Sequence, residues 1–123
     1  MSAKTGNEKT NDHMKKLLIV TLVAAIGPAW AAWAADGKAL FEKECAKCHG
    51  VTGNGDTKMG KKLGARDLTD PKVQAELKDE RMAKSIKEGV KEKNSDKVLM
   101  KAFDSLTDEE IKALIAHIRT LKK

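Results

Sequence analysis

From Thr107 onward the apolar positions fall at Ile111, Leu114, Ile115, Ile118 and Leu121, a spacing that lines them along one face of an α-helix. Thr107 and Glu110 occupy capping-box positions at its start, and Leu106 is placed to staple onto Ile111. Such a stripe must cover something. A partner stands at the other end of the chain, where Phe41, Cys45 and Cys48 recur at i, i+4 and i+7 over a helix expected from about Gly37 to Lys47. Two further helices are expected between them. One begins at Pro71, with Asp70 or Thr69 as N-cap and with Val73 and Leu77 facing inward. The other runs from Asp79 to Glu88, with Met82, Ile86 and Val90 at four-residue spacing and Gly89 near its end. Gly50, Gly53, Gly55, Gly60 and Gly64 mark a loop in which regular structure is not expected. Val90 to Leu106 reads as a lysine-rich loop holding Val98, Leu99, Met100 and Phe103. No convincing strand pattern is found, so the expected fold class is all-α with about four helices.

The N-terminal region has a different pattern. Met14-Lys15-Lys16 precedes the apolar run Leu17 to Ile26, and Ala32-Trp33-Ala34 fits a small-x-small cleavage site. Residues 1–34 are therefore read as a signal peptide and 35–123 as the single mature domain, with Met14 the expected true start. The competing reading is an uncleaved membrane anchor, because Leu17 to Ala35 carries no charge and is long enough to span. The richness in alanine and the cleavage pattern favour export. Removing residues 1–34 lowers the basic count from 24 to 20 (Lys4, Lys9, Lys15, Lys16) and the acidic count from 18 to 16 (Glu8, Asp12). The remaining excess is modest and its signs are interleaved, which argues against a nucleic-acid surface. Trp30 and Trp33 leave with the signal, so Phe41 and Phe103 are the only aromatics of the mature chain.

Cys45-Ala46-Lys47-Cys48-His49 carries the chemistry. C-x-x-C-H is the attachment pattern for c-type haem. On a helix the two thiols and the imidazole share one face, so the thiols can add to the two haem vinyl groups while His49 ligates the iron. A structural zinc site needs about four protein ligands, and the whole chain holds two cysteines and three histidines, of which His13 lies in the signal region. A thioredoxin-like dithiol needs a βαβ setting. Haem attachment agrees with export, because a C-x-x-C pair outside the cytoplasm is then consumed by haem instead of forming a disulfide. So small a mature chain buries a marginal core by itself, and folding is expected to depend on the haem.

Gly37-x-x-Leu40-Phe41-x-x-x-Cys45-x-x-Cys48-His49-Gly50, the glycine-rich loop, Met100-x-x-Phe103 and Leu106-Thr107-Asp108-Glu109-Glu110-Ile111 together resemble the small bacterial class I cytochromes c. The resemblance spans essentially the whole mature segment. It implies an all-α fold around one covalently bound haem c, with first and last helices crossing. It also implies His49 as proximal iron ligand and a late-loop methionine, by position Met100, as distal ligand. Met82 is the alternative, although its place beside Ile86 and Val90 reads as core. Met59 follows the motif too closely, and His117 reads as a helix-edge histidine. The chain departs from the family in three places. Lys61 follows Gly60 where a proline is common, Lys101 and Ala102 follow Met100 where another is common, and His117 stands where an aromatic is frequent. Losing the prolines removes backbone stiffening near both axial positions.

The expected function is a periplasmic, monomeric, monohaem electron carrier without catalytic activity of its own. The alternative is a haem-based ligand-binding or sensor protein whose distal methionine can be displaced. The expected partners are redox proteins, with an acidic docking patch facing lysines such as Lys47 and Lys101. Stable membrane association is not expected once the signal is cleaved.

Overall fold

The computed structural model describes residues 35–123. The expected signal peptide, the start at Met14, the cleavage site and both tryptophans lie outside the described residues. Helix α1 (Gly37–Leu40) runs into a π-helical turn (Phe41–Cys45) and then into α2 (Ala46–His49), forming one helical stretch. Then come α3 (Lys58–Leu63), α4 (Pro71–Glu76), α5 (Asp79–Glu88), a two-stranded antiparallel hairpin of β1 (Val90–Lys91) and β2 (Val98–Met100), and α6 (Asp108–Thr120).

The polar caps fall where the chain supplies them. Asp36 accepts from the Ala39 N–H to open α1, and Asp70 accepts from the Lys72 N–H ahead of Pro71 at the first turn of α4. Thr107 and Glu110 form the reciprocal capping box of α6. Ile111, Leu114, Ile115 and Ile118 are buried and meet Phe41, Leu68, Met82 and Ile86 in one cluster, with Leu106 and Leu121 packed at its edge. The first helix and α6 cross at contact distance. A Cβ on Gly37 would overlap the Ala113 carbonyl, so only glycine admits this approach.

Two expectations are corrected. The glycine-rich segment contains α3, because Thr57 caps it and Gly64 ends it in the left-handed conformation. The lysine-rich loop contains the hairpin, with Val90 opposite Met100 and Lys91 opposite Val98. Strands of two and three residues are too short to show an alternating pattern, and the turn hides in Asn94, whose φ of 62° is left-handed. The first helix also reaches beyond Lys47 to His49, and its π turn carries the Ala46 N–H to the Phe41 carbonyl, which offsets Cys45 from the regular i, i+4 stacking over Phe41.

The chief polar tie is one the apolar pattern hid. Within α4 the buried residue is Gln74, whereas Val73 is half-buried and Leu77 ends the helix. Gln74 Nε2 donates to the carbonyls of Leu68 (2.6 Å) and Ile118 (2.8 Å). Arg119 reaches from α6 to Gln74 Oε1, to the Gln74 and Leu77 carbonyls, and to the Asp79 carboxylate. This network fixes α6 to both α4 and the start of α5, and satisfies a buried amide that would otherwise be costly.

Candidate haem-binding site

Cys45 closes the π turn, and Cys48 and His49 stand in α2, so one continuous helical stretch presents all three. The helix end is held by the segment that follows it. Thr57 Oγ1 donates to the Cys48 carbonyl (2.7 Å) while accepting from the Gly60 N–H (2.8 Å). The Gly55 N–H donates to the His49 carbonyl (2.7 Å), and the Gly50 N–H to the Ala46 carbonyl (2.8 Å). Carbonyls that a helix C-terminus leaves open are thereby paired, and the histidine backbone is fixed from several directions. Lys61, exposed on α3, forms an ion pair with Asp56 at 2.6 Å.

The His49 ring is set against the core, its centroid 6.5 Å from that of Phe41, which also meets His117 at 5.2 Å. Burial lowers the His49 pKa below its ordinary value, and the Arg66 backbone opposes the shift. Its Nδ1 is buried with no partner at hydrogen-bond geometry. The Cys45 thiol is pushed up to about 11, first by burial and then by Glu44 and Cys48, with Lys101 pulling it back. A thiol so shifted is the opposite of the acidic, activated cysteine of a redox dithiol. Among the described residues both cysteines are free, and no three His, Cys, Asp or Glu side chains converge on a metal position.

Met100 ends β2, half-buried against the same cluster that Cys45 and Phe103 cover. Lys101 follows it, with Nζ 4.6 Å above the Phe103 ring. Met82 is 6 % exposed and belongs to the core itself. Met59 stands on the outer side of α3 at 36 % exposed, and His117 is half-buried against Phe41. Thr57, Gln74, Arg119 and the Arg66 backbone were missed from the sequence. Only Thr57 had a local signal, as a threonine three residues before Gly60 at a helix start.

These residues fit a covalently bound haem. Two unpaired thiols, a buried imidazole nitrogen left without a partner and a half-buried thioether border a core whose most deeply buried large side chains are Phe41 and Leu114. Fold and site together define a helical haem-binding electron-transport protein. The chain belongs to the cytochrome c family, whose profile matches residues 34–122, and it holds one haem c through Cys45 and Cys48. It is 37 % identical over 110 residues to cytochrome c-553 from two strains of Helicobacter pylori, covering 89 % of this chain and all of each relative. Among solved structures it is similar to the c-type cytochrome KustC0563, at 43 % identity and a TM-score of 0.63, over 72 % of this chain and 99 % of that one. A tyrosine-to-phenylalanine variant of the same cytochrome gives a TM-score of 0.60.

Proposed function

We propose that this protein is a periplasmic monohaem carrier that shuttles single electrons between redox proteins, with His49 and Met100 as the axial ligands of the iron. The observation that carries the reading is the pairing of a buried, unpartnered His49 Nδ1 in the C-x-x-C-H helix with a half-buried Met100 on the cluster that Cys45 also covers. When bound, haem supplies one-electron chemistry, and a thioether opposite an imidazole raises its potential relative to two histidines. The protein's residues hold and orient. Cys45 and Cys48 prevent loss of the group, and Thr57 and Gly55 fix the backbone beneath His49. Met82, buried beside Ile86, serves packing.

The test is a visible-spectrum and potentiometric titration of the purified holoprotein. A low-spin spectrum in both oxidation states, a methionine-to-iron charge-transfer band in the oxidised form and a single one-electron wave are expected. A five-coordinate, high-spin resting spectrum would instead place the protein among ligand binders.

Docking follows from the basic excess of residues 35–123. Lys47 and Lys101 are exposed beside the motif and beside Met100, where they steer an acidic partner by long-range attraction. Electron-transfer rates with an anionic partner are expected to fall several-fold as salt rises from 0.01 to 0.1 M, where the screening length shrinks from roughly 30 to 10 Å. Replacing both lysines by glutamine flattens that slope in stopped-flow measurements. Rates that are flat in the unaltered protein remove the steering claim alone.

A further inference from the structure

Met100 lacks the proline that stiffens this loop elsewhere in the family, yet its backbone is tied down on a different principle. Gly89 caps α5 with φ 76° and its N–H on the Ser85 carbonyl (2.9 Å). Three successive residues lie directly on its α-carbon. A Cβ there would stand 2.7 Å from the Met100 oxygen, 2.8 Å from the Ala102 nitrogen and 3.0 Å from the Lys101 carbonyl carbon. These are backbone atoms, so no side chain can rotate aside to make room. Next along the chain, Val90 pairs with Met100 across the hairpin, and the register shifts before Lys91 meets Val98. Beyond Met100, the Phe103 N–H donates to the Ile86 carbonyl (2.9 Å). The Met100 segment is therefore held on both sides by the last turn of α5 and by the strand that leaves it, while the hairpin tip from Glu92 to Lys97 stays exposed.

We propose that Gly89 and the β1–β2 ladder form a positioning device for Met100, setting where its thioether stands and how readily it is released. The proposal rests on the reading of Met100 as the distal ligand. Gly89 touches no reacting atom and acts only through the backbone of residues 100–102. An alanine at 89 must both adopt a left-handed φ and push that backbone away, so the segment moves and the thioether with it.

The experiment compares holoprotein variants by the charge-transfer band, by the reduction potential and by the affinity of added imidazole for the ferric protein. Gly89→Ala is expected to lose most of the band, lower the potential and tighten imidazole capture about tenfold, because apparent affinity tracks the fraction of molecules with the thioether released. Asn94→Gly, at a left-handed position of the exposed tip, leaves all three unchanged. Should Gly89→Ala fail to accumulate, Val98→Pro decides by the same readouts. It disrupts the ladder at a half-exposed position without truncating the core, and a smaller shift in the same direction is expected. A folded Gly89→Ala protein, or failing that Val98→Pro, with band, potential and imidazole affinity unchanged overturns the positioning role. Met100→Ala separates this from the ligand reading. If it keeps the band, the ligand assignment falls and the positioning role falls with it. If it loses the band while Gly89→Ala keeps it, the positioning role alone is wrong.

Discussion

Replacing Cys45 and Cys48 together by alanine is expected to abolish accumulation of folded protein, and whatever haem remains should extract into acidified organic solvent. The reason lies in the size of the core. Eight buried apolar residues, Phe41, Leu68, Met82, Ile86, Ile111, Leu114, Ile115 and Ile118, form the cluster, and so small a domain is marginal without an added apolar centre or cross-link. Covalent attachment supplies both. Immunoblotting of cell fractions together with solvent extraction reads the outcome. A haem-free double variant that accumulates with native helical content would show that the polypeptide core suffices.

Met100→Ala carries the second large effect, and Met82→Ala is its counterpart. The first should turn the iron high-spin or recruit a replacement ligand, and lower the reduction potential, since the thioether raises it. The second truncates a side chain that is 6 % exposed among Ile86 and its neighbours. It should cost about 2–5 kcal/mol in denaturant unfolding and leave the spectrum intact. Exchanged phenotypes, with Met82→Ala losing the charge-transfer band and Met100→Ala keeping it, would exchange the two roles.

How far the chain could be read depended on the kind of signal each part carries. The α6 stripe and its capping box repeat over several turns, and periodicity of that length survives into the structure unchanged. Cys45 and Cys48 were legible because attachment chemistry fixes their spacing. The α3 helix was not, since a six-residue helix containing Gly60 reads as loop until the Thr57 cap is recognised. The hairpin failed for the same reason of length, and Gly89 meets residues 100–102 in a contact no local pattern announces. Gln74 is the clearest case. A glutamine on a short polar helix predicts exposure, and its burial is decided by two carbonyls and an arginine far along the chain. The proline departures were legible as absences, but their consequence was not. Lys61 stands within a capped helix, and Met100 closes a β-strand.

The seat of Gly37 against Ala113 and Leu114 imposes an order in time. The first helix cannot take this seat until the last one exists, so the contact forms only when nearly the whole chain is present, and loop-closure entropy adds to its cost. Docking of α6, locked by Arg119 onto Gln74 and Asp79, is therefore a late step. Closure of the fold thus depends on its C-terminal end, and a chain cut short before α6 leaves Gly37 without its seat and Phe41 without the isoleucine stripe it packs against.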